Sequence, residues 1–344
     1  MVVKNIHVGK NLRQKNACEV TGQYVELQGE TFYQIGHFDQ MTDFFISVVS
    51  DSNHWMFIST RGGLSAGRVN SEGALFPYYS DDKISDGSPF TGSRTLALVS
   101  DDQKTSLWEP FSENYQGVYQ TTRNLYKNIS GDTLIFEEIN HDLGITFRYA
   151  WRTSDQFGFV KTATLENNLL RTVSVDILDG IENIIPYGVE SAVQNSLSCL
   201  VDAYKKCELD EFSGMGIYSM SSILVDRAEP SEALSVASVW SEGLPQAKKL
   251  LSSVQLDRFR EGLAVEQEVD VRGRRGAYFV NDVITLEPKQ TSSWHIIADV
   301  NQGPAQIRNL QAYINKGSKI DADIEADIEA DIEADVARGS HNLA

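Results

Sequence analysis

Cysteine is scarce in this chain of 344 residues: Cys18, Cys199 and Cys207 form no C-x-x-C pair and no spaced framework. That excludes a disulfide scaffold and points to a reducing, cytoplasmic setting in which each sulfur is a free thiol. Long apolar runs are missing too. No stretch approaches the ~18 apolar residues of a membrane span, and the opening MVVKNIHVGKNLRQKN has no apolar secretion core. Basic clusters are equally lacking: 30 Lys+Arg face 48 Asp+Glu, a formal charge of −18, so neither nucleic acid nor an anionic membrane is expected as a partner. The six histidines (7, 37, 54, 141, 295 and 341) show no H-x-x-x-H or Cys-His spacing, and no metal or cofactor is expected. Asn128-Ile129-Ser130 matches a glycosylation acceptor, read as chance without a secretion signal.

What is present from about residue 19 to 300 is short alternation of apolar and polar residues bounded by Gly, Asn, Asp and Ser. Strands are predicted at Tyr24 to Ile35, Phe44 to Val49, Trp55 to Ser59, Thr95 to Ser100, Phe157 to Leu165, Gly216 to Val225 and Leu234 to Trp240. Another hairpin should turn at His141 to Gly144, whose residues tolerate positive φ. Ala277 to Leu286 and Ser292 to Val300 read as a closing hairpin across EPKQTS. Val193, Leu197, Leu200, Val201 and Tyr204 recur at helical spacing, predicting a helix over 189–206 outside a sheet. The fold class is therefore mainly β, a large antiparallel sandwich rather than a doubly wound α/β sheet.

After residue 303 the character changes. Pro304 opens a helix over 304–315 with Ile307, Leu310 and Ile314 on one face. In KIDADIEADIEADIEADVARGSHNLA, Ile320, Ile324, Ile328, Ile332 and Val336 repeat every fourth residue, a step that drifts roughly 40° per repeat around a helix. Acids at i,i+4 repel by a few tenths of a kcal/mol per pair, so residues 318–344 are expected to fray or to lean on a partner. A slipped tandem duplication would produce the same repeat.

STRGGLSAGRVNSEGALFPYYSDDK, residues 59–83, carries the most pointed motifs. Gly63-Leu64-Ser65-Ala66-Gly67 matches G-x-S-x-G, but the nucleophile elbow needs a helix after the serine, and Asn70, Ser71, Gly73 and Pro77 interrupt any helical period. A base would have to be His141 or His295, neither with local support. A phosphate loop is rejected because Arg68 and Val69 stand where Lys and Ser/Thr are needed. What remains is a glycine-rich turn followed by an irregular loop with Arg61, Arg68, Tyr78, Tyr79, Asp81, Asp82 and Lys83, placed either against a sugar or against another domain. Glu137-Glu138 and Asp81-Asp82 have the residue types of glycosidase acids, yet neighbours on a strand face opposite ways and do not converge. Trp55, Trp108, Trp151, Trp240 and Trp294 serve as sugar platforms or, more simply, as core.

HWMFISTRGGLSAGRVNSEGALFPYYSDDKI, VKTATLENNLLRTVSVDILDGIENIIPYG and VITLEPKQTSSWHIIADV together resemble the N-terminal region of cellobiose phosphorylase-like proteins, the inverting disaccharide phosphorylases, with Glu166-Asn167 before DGIENIIPYG the telling feature. The resemblance spans most of residues 40–344. It implies a galactose-mutarotase-like β-supersandwich over 1–303, a helical linker over 304–344, and a following (α/α)6 barrel that would hold the catalytic acid and is absent from this sequence. No catalytic residue is therefore assigned. The leading expectation is a non-catalytic domain that shapes the sugar site or a homodimer interface of an enzyme acting on β-glucosides, inactive alone. Its loop contacts would be Arg61, Arg68, Tyr78, Tyr79, Asp81, Asp82, Lys83 and Trp108. The alternatives are an independent carbohydrate-binding module and a mutarotase-like epimerase using His with Glu or Asp.

Overall fold

Alternation along strand Gly158–Asn167 sets the layering. Phe159, Ala163 and Leu165 point into the main core, while Val160 on the opposite face joins a separate cluster with Met215, Trp240 and Ile297. In this computed structural model, which describes residues 5–14, 18–101, 104–222, 234–319 and 321–343 (side chains of 317–319 and 321–327 excepted), that strand sits inside an eleven-stranded sheet. The sheet runs from edge strand Asp270–Arg272 to edge strand Thr21–Leu27, with antiparallel pairing throughout. A five-stranded sheet centred on Val173–Ile184 and a four-stranded sheet spanning Phe45 to Phe76 pack on its inner face. The chain is a large antiparallel β-sandwich, mainly β, with C-terminal helices.

Several predicted strands match within three residues at each end: His54–Ser59, Gly92–Ser100, Phe45–Val48 and Gly158–Asn167. Tyr24 to Ile35 is not one strand. Gln28 and Gly29 both take positive φ, 54° and 85°, and turn the chain between Thr21–Leu27 and Glu30–Gly36. The closing hairpin is also corrected. Gly276–Leu286 belongs to the five-stranded sheet and Thr291–Gln302 to the eleven-stranded one, so residues 287–290 arch from one layer to the other. Ala277 through Val280 are all buried, and such a strand needs cover on both faces, which a flat hairpin would not give. Of Gly216 to Val225, the structure has Met215–Met220 as strand; 223–225 lie outside the described residues.

The interlayer corner is held by Asn167. Its Nδ2 donates to the carbonyls of Arg171, Leu286 and Glu287 (2.8–3.1 Å), and Oδ1 accepts from Leu169 N at 2.9 Å. The Glu166-Asn167 pair is thus a structural staple.

Among the described residues five α-helices flank the sheets: α1 Asp81–Asp86, α2 Ser191–Ala203, α3 Leu256–Arg260, α4 Pro304–Lys319 and α5 Asp321–Leu343. The stripe predicted along α2 is split. Leu197 has non-helical φ/ψ (−132°, 36°), which kinks the helix, so Val201 is buried with Val189 and Met220 while Leu197 and Leu200 stay exposed. α3 covers the outer face of the five-stranded sheet through Leu256 and Phe259.

The tail does not need an outside partner over 328–343. Ile328, Ile332 and Val336 pack with Ile314 of α4 on Val160, Trp240 and Ile297 of the chain's own large sheet. Two four-residue steps drift by only about 80°, inside the ~100° apolar face of an ordinary docked helix. The acids are used rather than merely tolerated. Glu333 accepts from Arg152 Nη1 at 2.6 Å, Asp335 accepts from Ser154 Oγ, and Tyr313 donates to Asp331 at 2.9 Å. Ile320 and the side chain of Ile324 lie outside the described residues.

Candidate functional site

The segment after strand Thr105–Trp108 crosses one end of the sandwich and walls a cleft of about 240 Å³, lined by Trp108, Tyr115, Tyr119, Arg13, Arg123 and Glu138 among others. Two smaller recesses adjoin it. One of about 120 Å³ shares Asp39, Gln116 and Arg123; one of about 40 Å³ shares Glu109 and Ser112. Arg61 and Phe111 border both recesses, so the three form one groove around residues 109–117.

Strand register builds the groove's floor. The turn at Ser130-Gly131 places Arg123 directly opposite Glu138, and Arg123 Nε donates to Glu138 at 2.7 Å. Glu138 also accepts from Trp108 Nε1 and from the Phe111 backbone N–H, each at 2.7 Å. Phe111 holds φ at 64°, unusual for a bulky residue, and its ring meets Tyr149 edge-on at 5.3 Å, so packing and the Glu138 bond fix the strained loop. Glu109 is buried and takes a forked contact from Arg260 of α3, Nε at 2.6 Å and Nη2 at 3.1 Å. Phe259 anchors α3, which aims the neighbouring arginine.

The cleft phenols remain protonated donors. Burial, then the nearby Glu109, pushes the Tyr115 hydroxyl above its ordinary value; burial, then Asp142, does the same for Tyr119, whose hydroxyl donates to Leu107 O at 2.6 Å. The groove's two buried acids, Glu109 and Glu138, are each ion-paired, and none of its lining residues is a histidine. Beneath the small recess, its lining residue Thr95 donates to Asp179, the partner of a fully buried Lys161.

Glu137 and Glu138 diverge as the pleat requires, yet neither faces solvent. Glu137 takes Asn124, Tyr126 and Arg148 on the other face. Cross-strand arginines on the two faces, Arg148 and Arg123, let both acids be buried.

Of the sequence-predicted site residues, Arg61 and Trp108 border the groove. Arg61 lies 3.6 Å from Asp43 and 3.5 Å from Glu113. Trp108 is buried, so it offers an edge and no open stacking face. Trp151, Trp240 and Trp294 are core. The other six do not line the groove. The predicted irregular loop is instead strand Leu64–Arg68, a tight turn, strand Ala74–Phe76 and α1, whose first-turn Asp81 and Asp82 complement the positive end of the helix dipole. Ser80 and the Lys83 backbone N–H bond Asp82 and hold its carboxyl below the usual value. Tyr78 meets Trp55 edge-on at 5.3 Å, and Lys83 lies over Tyr79 at 5.7 Å. Arg68 ties layers together: Nε donates to His54 Nε2 at 2.7 Å and lies 3.2 Å from Asp299, while Nη2 donates to Asp155 O at 2.8 Å. Ser65 is buried with its hydroxyl given to Pro77 O at 2.7 Å, so it is not poised as a nucleophile. His141 and His295 bond Thr122 and Thr162 instead.

The residues that sequence reading missed, Glu109, Tyr115, Tyr119, Arg123 and Arg260, carry no local motif, and Glu138 enters that reading only as half of the Glu137-Glu138 pair. Only the Arg123–Glu138 pairing was computable, from the turn between them. Buried Asn128 is bonded to Glu30, Ser130 and Asp132, in keeping with a chance glycosylation triplet.

Among the described residues no His/Cys/Asp/Glu group has the spacing of a metal site, and no helix is long and apolar enough to cross a membrane. No protein-family model matches the chain, and no curated protein matches its sequence. Solved structures of similar shape include a polysaccharide lyase (13% identity, TM-score 0.42, covering 77% of this chain and 34% of that one). A candidate aldose 1-epimerase from Klebsiella pneumoniae aligns at 8% identity and TM-score 0.40, over 86% of this chain and 91% of that one. A bacterial glucoamylase complexed with acarbose aligns at 8% identity and TM-score 0.35, over 88% and 38%. The chain thus spans about a third of the length of the lyase.

Proposed function

We propose that this chain is a sugar-binding, non-catalytic sandwich domain of a carbohydrate-active enzyme of the disaccharide phosphorylase or glycoside hydrolase-like kind. Residues 1–303 would form the sandwich and 304–344 the connection to a catalytic barrel. The observation that carries the reading is the state of the groove's buried acids. Glu138 accepts three hydrogen bonds and Glu109 is forked by Arg260, so neither is free to move a proton, whereas Arg13, Gln40, Gln116 and Asp39 offer donors and an acceptor around aromatic walls. Such a mixture suits the hydroxyls and apolar face of a neutral pyranose.

Titration calorimetry with cellobiose tests it. Saturable binding in the millimolar range is expected, weakened about tenfold, or ~1.4 kcal/mol, by Arg13→Ala combined with Gln116→Ala. Absence of saturable heat would contradict the binding reading. Phosphorolysis or hydrolysis of cellobiose by the purified chain would contradict the non-catalytic one.

A further inference from the structure

Beside the loop 88–94, whose Ser88, Ser93 and Arg94 line the groove's small recess, a separate shallow recess of about 290 Å³ is lined by Phe90, Glu182, Asn183, Ser253, Arg274 and Arg275 among others. Three independent features set it apart from ordinary surface. Asn183 interrupts strand Val173–Ile184: its φ is 64°, and the strand register shifts between Glu182 and Ile184. Irregularities of this kind, held by non-glycine residues, gather at binding sites. The side chain of Asn183 is buried and its Nδ2 donates to Thr91 at 2.9 Å, yet Oδ1 has no hydrogen-bond partner. A buried amide oxygen left unpaired is costly and calls for a donor from outside the chain.

The second feature is charge. Glu182, the one acid at the recess, is consumed by Arg94 at 2.9 Å and Ser253 at 2.6 Å. Arg275 lies 3.3 Å from Asp202, and Arg274 forms no ion pair among the described residues. The unbalanced charge at this surface is therefore positive, on a protein that is otherwise strongly acidic. The third is the aromatic ring: Phe90 is 59% exposed, with the Arg275 guanidinium 5.8 Å from its centroid.

From these we infer a second ligand site, for a hydroxylated ring that carries one anionic group, a sugar acid or a sugar phosphate. The ring stacks on Phe90, a hydroxyl donates to Asn183 Oδ1, and the anion pairs with Arg274 and Arg275. The site shares no lining residue with the groove and stands independently of the function proposed for it.

Calorimetry on the full chain with glucuronate, glucose 6-phosphate, glucose and inorganic phosphate tests the inference. At least one of the two anionic sugars is expected to bind at least tenfold more tightly than glucose or phosphate, and the tighter of the two identifies the carboxylate or the phosphoryl source. Arg274→Ala, at an exposed position, should weaken that binding at least tenfold, and Arg13→Ala in the groove should leave it unchanged. Asn183→Gly keeps the positive φ without strain, so it should raise the melting temperature while weakening the ligand. No saturable heat up to roughly 10 mM, inorganic phosphate binding as tightly as the sugars, or full affinity in Arg274→Ala would each overturn the inference.

Discussion

Lys161 Nζ lies 2.6 Å from Asp179 Oδ1, and both side chains are wholly excluded from solvent between the sheets. Thr95 and Trp294 Nε1 complete the carboxylate's contacts, at 2.6 and 2.8 Å, and Gly180 O accepts from the ammonium at 3.2 Å. Burial pulls the Lys161 ammonium below its ordinary value, opposed by Asp179. Removing one partner strands the other charge: Asp179→Asn should cost about 3–5 kcal/mol in urea unfolding. Replacing both by apolar residues, Lys161→Met with Asp179→Leu, should recover most of that loss. A double variant no better than the single one would show that the pair is not the cause.

Acid should act on the Arg68 cluster through two groups of opposite sign. Burial, and then the Arg68 charge, lowers His54 to about 3, so it contributes stability present above 6.5 and lost as pH falls toward 3. Burial raises Asp299 to about 6 against Arg68's pull, so its term is present below 3.8 and lost as pH rises through 6. Between about pH 4 and 6 the two nearly cancel. Asp299→Asn should uncover the histidine, and urea midpoints should fall steadily from pH 6.5 to 4, more steeply than in the parent protein.

Docking of α5 rests on a few apolar contacts. Ile332 is fully buried, and Ile332→Ala should cost about 2–4 kcal/mol. Hydrogen exchange at 328–343 should accelerate in that variant while the amides of Gly158–Asn167 stay protected. Uniform acceleration across the sheet would instead mean that helix and sandwich unfold as one unit.

Within the G-x-S-x-G stretch the glycine matters more than the serine. Ser65→Ala removes one buried bond to Pro77 O and should cost about 0.5–1.5 kcal/mol. A Cβ at Gly63 would lie 2.1 Å from Ile84 O, so Gly63→Ala must push α1 away, at about 1–3 kcal/mol. Thermal melts of the two variants rank them.

Much of the strand pattern was legible because it is local. His54–Ser59 and the turn before Gly144 follow from alternation and from residues that accept positive φ. The helix Pro304–Lys319 followed from its proline start and apolar stripe. The split of α2 was not legible, because Val201, beyond the kink at Leu197, packs against Ile185 and Met220 in other elements. The groove was missed for a like reason. Glu109 meets Arg260 only because the cover over the five-stranded sheet brings α3 to the end of the sandwich.

By itself the sequence determined that this is an antiparallel β protein with a helical C-terminal stretch, since side-chain period and turn chemistry act between neighbours in the chain. Only the tertiary structure decided that Gly276–Leu286 and Thr291–Gln302 part into different sheets, that the acidic repeat folds back onto its own sheet, and that Lys161 and Asp179 meet. Those outcomes depend on burial between segments distant in sequence, where covering apolar faces and pairing buried charges outweigh any local preference.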